Sequence, residues 1–280
     1  MVWRDILVFA DGTDSGIARA VCAGEIASAS EADLSVCVIA EMTAMTVGGG
    51  SPAMADAHEQ SRRSARDDAG RLMEALEEGD APSHSRRAIS VLEAPHADVS
   101  RLVASLARSN DLLICGQPAD EDGASLDETV LTGGLMGSGR PCLVLPRRPE
   151  WSMIGRRVLL CWNGSREASR AAHDALPLLI RAQAVLVMHS GPEERLDGTD
   201  NGGLLRLCTH LSRHGVRIEG PECPAITDGV AEGILRTADG FGADLIVMGA
   251  FGRSPWRERL MGGVTRKILQ TTRLAVFLSH

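Results

Sequence analysis

The sequence predicts an α/β protein of two tandem, doubly wound, five-stranded parallel-sheet domains, over residues 1–148 and 152–280. Three observations carry this reading. The chain repeats itself: "ILVFADGT" from Ile6 matches "VLLCWNGS" from Val158, "DLLICGQ" from Asp111 matches "DLIVMGA" from Asp244, and "RPCLVLP" from Arg140 matches "RLAVFLS" from Arg273. Short apolar runs alternate with longer stretches of helical period, the pattern of parallel strands joined by right-handed crossovers. The runs are continuous in Val, Ile and Leu rather than alternating with polar residues, as expected of strands covered on both faces.

In the first half, strands are expected at Ile6–Ala10, Leu34–Ala40, Ala88–Leu92, Asp111–Cys115 and Cys142–Leu145. In the second they are expected at Val158–Trp162, Ala184–His189, Val216–Glu219, Asp244–Met248 and Leu274–Leu278. A helix follows each first strand ("DSGIARAVCAGEIASAS", "REASRAAHDALPLLIRA") and each second strand ("AHEQSRRSARDDAGRLMEALEEG", "NGGLLRLCTHLSRHG"). Further helices precede the fourth strand ("ADVSRLVASLARSN", "DGVAEGILRTADGFG") and the fifth. The copies differ in the middle, where "EMTAMTVGGGSPAMADA" of the first gives way to the shorter "SGPEERLDGTDNGG". The 42–57 segment, rich in Gly, Ser and Met, reads as a loop. The join falls at "PRRPEWSMIGRR", where prolines and charge break the pattern.

Composition excludes several classes. A net charge of −8 argues against nucleic acid or an anionic membrane as partner. No apolar run approaches the ~20 residues of a membrane span, and the N-terminal stretch lacks a basic region leading into a signal-like core, so a cytosolic protein is expected. The 7 cysteines are odd in number and lack CxxC spacing, which signals neither a disulfide framework nor a zinc knuckle. Cys37, Cys115, Cys142 and Cys161 lie inside apolar runs and read as small buried hydrophobes.

In doubly wound sheets, ligands bind beyond the carboxyl ends of the strands where the strand order reverses. One segment at such an end stands out: "GAFGRSPWRERLMGGVTRKIL", after the fourth strand of the second half. Gly249 and Gly252 would let the chain turn. Gly262 and Gly263 would bare backbone amides at the start of a helix, where N–H groups attract phosphate oxygens, and Thr265 would add a hydroxyl. A plain turn leading into a helix cap accounts for the same glycines. Arg253, Arg257 and Arg259 within the span read first as a solvated charged loop. In the first half, "CGQPADEDGASLDETVLTGGLMGSGRPCLVLP" keeps only Gly116 of this spacing, its acidic run would repel phosphate, and "GGLMGSG" reads as a flexible turn. Other motifs fail. There is no G-x4-GK[ST], no G-x-G-x-x-G after a first strand and no G-x-S-x-G elbow. His210 and His214 have the spacing of two metal ligands on a helix, but no third ligand is evident, and they read as surface or capping residues with no metal site expected.

The G-x2-G-x9-G spacing directly after a strand, in a unit opening with a (D/N)-G-(S/T) turn, resembles the universal stress protein family, and the whole chain resembles its tandem members. The resemblance implies the universal stress protein fold, of the adenine nucleotide alpha hydrolase-like kind, and ATP, with or without Mg2+, in the C-terminal domain. Residue by residue, Gly249, Gly252 and Gly262 fill the glycine places, and Val264 and Thr265 continue the motif. Gly263 stands where Ser or Thr is expected, and Asn163 where the first strand commonly ends in an acidic residue near the nucleoside. The first domain, with Asp11 but no glycine spacing, is expected not to bind. The resemblance further implies a role in stress adaptation or signalling, an internal pseudo-dimer through "PCLVLP" and "LAVFLSH", and room for a homodimer. No residue set supplies a general base, so any ATP hydrolysis is expected to be slow. The alternative is a scaffold or partner-binding module of the same fold that binds no nucleotide.

Overall fold

The computed structural model describes residues 2–42, 52–78, 86–118, 125–147, 154–189, 200–222, 228–250 and 263–280. The chain divides into two compact units, Val2–Pro149 and Glu150–His280.

In the first unit the elements run β1 (Asp5–Phe9), α1 (Asp14–Ser30), β2 (Asp33–Met42), α2 (Pro52–Glu78), β3 (Arg87–Pro95), α3 (His96–Ala107), β4 (Leu112–Gly116), α4 (Leu126–Gly137) and β5 (Cys142–Leu145). The strands form a parallel sheet in the order β3-β2-β1-β4-β5. In the second unit they run β6 (Arg157–Trp162), α5 (Arg166–Asp174), α6 (Leu176–Arg181), β7 (Ala184–His189), α7 (Asp200–Arg213), β8 (Ile218–Glu222), α8 (Val230–Phe241), β9 (Leu245–Gly249), α9 (Gly263–Thr271) and β10 (Ala275–Ser279). Here too every pair is parallel, in the corresponding order β8-β7-β6-β9-β10. The fold class read from the sequence is therefore what forms, and in each unit the order reverses between the first strand and the fourth.

The central strands are buried along their length: Ile6, Val8, Leu112, Leu113 and Ile114 in one unit and Val158, Leu159, Leu160, Ile246 and Val247 in the other are fully enclosed. This is what a continuous apolar run requires, since a parallel sheet is covered by helices on both faces. Cysteines share these cores, and burial pushes the Cys115 and Cys161 thiols up to about 12. Each repeat also clamps its first strand with an aspartate. Asp111 Oδ2 accepts hydrogen bonds from the backbone N–H of Arg4 and Asp5 at 2.7 and 3.2 Å. Asp244 accepts from Gly155, Arg156 and Arg157 at 2.8, 3.0 and 3.2 Å. The aspartate in "DLLICGQ" and "DLIVMGA" thus ties the start of the fourth strand of each unit to the start of the first.

Four local expectations need correction. "GGLMGSG" is not a flexible turn, because Gly133, Gly134, Leu135, Met136 and Gly137 belong to α4. A Cβ on Gly133 would strike the backbone carbonyl of Ser100, and one on Gly137 would lie 2.7 Å from Ala104 Cβ, so glycine is what lets α4 lie against α3. The helix expected over "REASRAAHDALPLLIRA" breaks at Ala175 into α5 and α6, because Pro177 has no N–H to donate and its ring would clash in the interior of a continuous helix, whereas the first turn of α6 accepts it. Helix α2 begins at Pro52, within the segment read as a loop, and residues 43–51 lie outside the described residues. Strand β8 starts two residues later than expected and is irregular, with Gly220 at φ 98° beside a register shift against β7.

Candidate functional site

The carboxyl ends of β6 and β9 are neighbours at the point where the second sheet reverses order, in parallel register from Val158↔Leu245 to Leu160↔Val247. Beyond β6 the chain turns through Asn163-Gly164-Ser165. The Asn163 side-chain carbonyl accepts from Ser165 N–H at 3.0 Å, Gly164 takes φ 70°, and Ser165 caps α5 by accepting from Ala168 N–H at 3.1 Å. The first unit builds the same turn: Asp11 Oδ1 accepts from Thr13 N–H at 3.2 Å, and Thr13 Oγ1 accepts from Gly16 N–H at 3.1 Å. The (D/N)-G-(S/T) signature is thus a strand exit and a helix cap in one, a local side-chain mimic of a turn followed by an N-cap.

Gly249 ends β9, and its lack of a side chain has a packing cause. A Cβ there would lie 2.5 Å from Ala168 N and from the Glu167 carbonyl carbon, so the first turn of α5 rests directly on it. The Glu167 carboxyl in that turn lies below its ordinary value: partial burial pushes it up, and hydrogen bonds from its own N–H, Arg166 and Ser165, with the Arg166 charge, outweigh that. It is therefore ionised at neutral pH and disfavours an anion at this end.

Gly263 opens α9, exposed, with nothing within 4 Å of the place a Cβ would take. As the first residues of a helix, Gly263, Val264 and Thr265 carry N–H groups that have no acceptor within the helix itself. Thr265 itself is 4% exposed and shares the packed face of α9 with Ile268 and Leu269, so its side chain serves the core. Gly252 and Gly262, together with Arg253, Arg257 and Arg259, lie outside the described residues.

A cleft of about 470 Å³ opens beside the β6 turn. Trp162 and Gly164 line it at the strand end, His173 from α5, and Gly203, Arg206 and His210 from α7. Nothing in the sequence singled out His173 or Arg206, because the helices that bring them to this cleft are distant in the chain.

In the first unit the end of β4, the counterpart of the Gly249 end of β9, carries a side-chain pair. Arg19, 6% exposed, donates from one guanidinium nitrogen to the Phe9 carbonyl at 2.8 Å and to Asp127 Oδ1 at 3.2 Å. A Cβ on Gly116 would lie 2.5 Å from Asp127 Oδ1 and 2.6 Å from the Arg19 guanidinium, so the pair sits over the end of β4. In the repeat Arg19 corresponds to Ala171, which is fully buried in α5.

Residues 217–280 match the model of the universal stress protein family. No curated protein matches the chain. Among solved structures, a universal stress protein from Archaeoglobus fulgidus superposes with a TM-score of 0.72 at 14% identity, over 98% of this chain and 96% of that one. A functionally unknown protein from Pseudomonas aeruginosa gives 0.57 at 17% identity, over 99% and 92%. A putative universal stress protein from the same species gives 0.54 at 18% identity, over 99% and 93%. The family signature thus lies in the second unit, and the chain as a whole has the fold of a two-unit universal stress protein.

Proposed function

We propose that the second unit binds ATP, with or without Mg2+, and that the protein couples nucleotide occupancy to stress adaptation in the cytosol. The observation that carries this reading is the open cleft at the carboxyl end of β6, about 470 Å³ and within the range of small-ligand sites. In the first unit Gly12, the counterpart of the cleft-lining Gly164, faces Asp68 and Arg71 of α2, and Arg19 and Asp127 sit over the end of β4, so that unit is read as non-binding. The nucleoside is assigned to the cleft side. There Asn163, whose carbonyl is engaged with Ser165, would offer its NH2. The phosphates are assigned to the first-turn N–H groups of α9 at Gly263 and Val264, with Gly249, Gly252 and Gly262 shaping the chain between.

A scaffold that binds no nucleotide is the second reading. Two observations favour it: Gly249 is already required by α5, and the Thr265 side chain is committed to the core. Thermal unfolding of the purified chain with Mg-ATP separates the two. ATP at 100 times its dissociation constant should stabilise the fold by about 2.7 kcal/mol, and an unchanged midpoint at millimolar Mg-ATP selects the scaffold. Gly263→Ser, whose side chain enters open space, should tighten binding by supplying the missing hydroxyl.

A further inference from the structure

The second unit gathers three histidines from two helices. His173 Nε2, on α5, lies 3.1 Å from His210 Nε2, on α7. The ring of His214, just beyond the end of α7, meets that of His210 edge to face with centroids 4.7 Å apart. The converging nitrogens therefore belong to His173 and His210, and not to the pair whose spacing looked ligand-like in the sequence.

His173 is also held in one tautomer. Its Nδ1–H donates to the Ser169 carbonyl at 2.8 Å, which leaves the lone pair of Nε2 pointing away from its own helix. A backbone carbonyl fixing the far ring nitrogen is the usual support of a metal-binding imidazole. We propose that His173 and His210 form a two-imidazole site for a divalent first-row transition ion such as zinc, at the edge of the cleft beside β6. With zinc–nitrogen bonds of about 2.0–2.1 Å, nitrogens at the present separation subtend roughly 100° at the ion, close to a tetrahedral angle, so the spacing suits an ion once each ring turns by roughly 40° from the N–H···N line. In the free protein His210 Nε2–H donates to His173 Nε2. On binding, that proton passes through solvent to His210 Nδ1 and both Nε2 lone pairs go to the metal, so no net proton is released.

The charge balance suits this. Desolvation first, and then His214, His173 and Arg213, hold the His210 imidazolium below its ordinary value, so the ring is neutral and able to ligate at neutral pH. Among the described residues no group of three or more His, Cys, Asp and Glu could hold a metal, so these residues supply two ligands and leave the other positions on the ion to further ligands such as water or a molecule in the cleft. The site belongs to the second unit alone, because Val21 stands at the place of His173 in the first.

The inference does not rest on nucleotide binding, and its test leaves nucleotide out. Tag-free protein is titrated calorimetrically with zinc chloride, and the histidine side chains are followed by 15N–1H correlation spectra. Expected are shifts of Nε2 in both His173 and His210, and affinity reduced about tenfold or more in His173→Ala and in His210→Ala but kept in His214→Ala. Far-ultraviolet circular dichroism confirms that the variants are folded. Absence of binding up to millimolar zinc overturns the proposal, as does wild-type affinity in His173→Ala or an equal loss in His214→Ala.

Discussion

Arg19 and Asp127, 108 positions apart in the chain, meet at 3.2 Å over the end of β4. The arginine side chain is 7% exposed and the carboxylate 30%, so removing the carboxylate leaves a nearly buried charge whose remaining hydrogen-bond partner among the described residues is the Phe9 carbonyl. Asp127→Ala should therefore lower stability by about 2 kcal/mol, and Arg19→Met with Asp127→Ala together by less, measured by urea unfolding.

The glycines at the two ends of the phosphate-like motif should behave oppositely. Gly249→Ala forces a methyl to 2.5 Å from the backbone of α5, which cannot yield as a side chain would, and should cost about 2 kcal/mol or more. Gly263→Ala meets open space at the start of a helix and should leave stability unchanged or raise it by up to about 1 kcal/mol. Equal effects in thermal melts would contradict the packing role assigned to Gly249.

Asp244 accepts from three backbone N–H groups at the entrance to β6. Asp244→Ala should cost about 2 kcal/mol, and hydrogen exchange should show Arg156 and Arg157 losing protection before the centre of β6 does.

His210 should make stability pH-dependent. Its folded value lies below that of the unfolded chain, so as pH falls through the ordinary histidine range the unfolded state takes up the proton first. Stability is full above that range and declines toward the lowered folded value. His210→Gln, measured with chelator present, should show a shallower decline between about pH 7 and pH 5 than the wild type.

The elements were legible in the sequence wherever one local cause decides them. Apolar runs fixed the strands, and Thr13 and Ser165 in the repeated turn marked where α1 and α5 begin. What escaped are features decided by contact between distant segments. "GGLMGSG" has poor helix propensity, yet α4 runs through it because glycine lets it approach Ser100 of α3. The same holds at the site. Asn163 and Gly249 could be located from strand ends, but the packing of α5 on Gly249 and the meeting of His173 with His210 depend on how whole helices settle. Spacing shows that the first unit lacks the glycine pattern; that Arg19 sits over the end of β4 was not readable, since an arginine in α1 that will be buried looks in sequence like any other.

The Arg19–Asp127 pair also comes apart unequally from its two sides. Loss of Asp127 first strands a guanidinium that is 7% exposed, whereas loss of Arg19 first leaves a carboxylate that is 30% exposed in the first turn of α4, where the helix N-terminus favours it. Substitution is therefore gentler when it starts at Arg19 and harsher when it starts at Asp127.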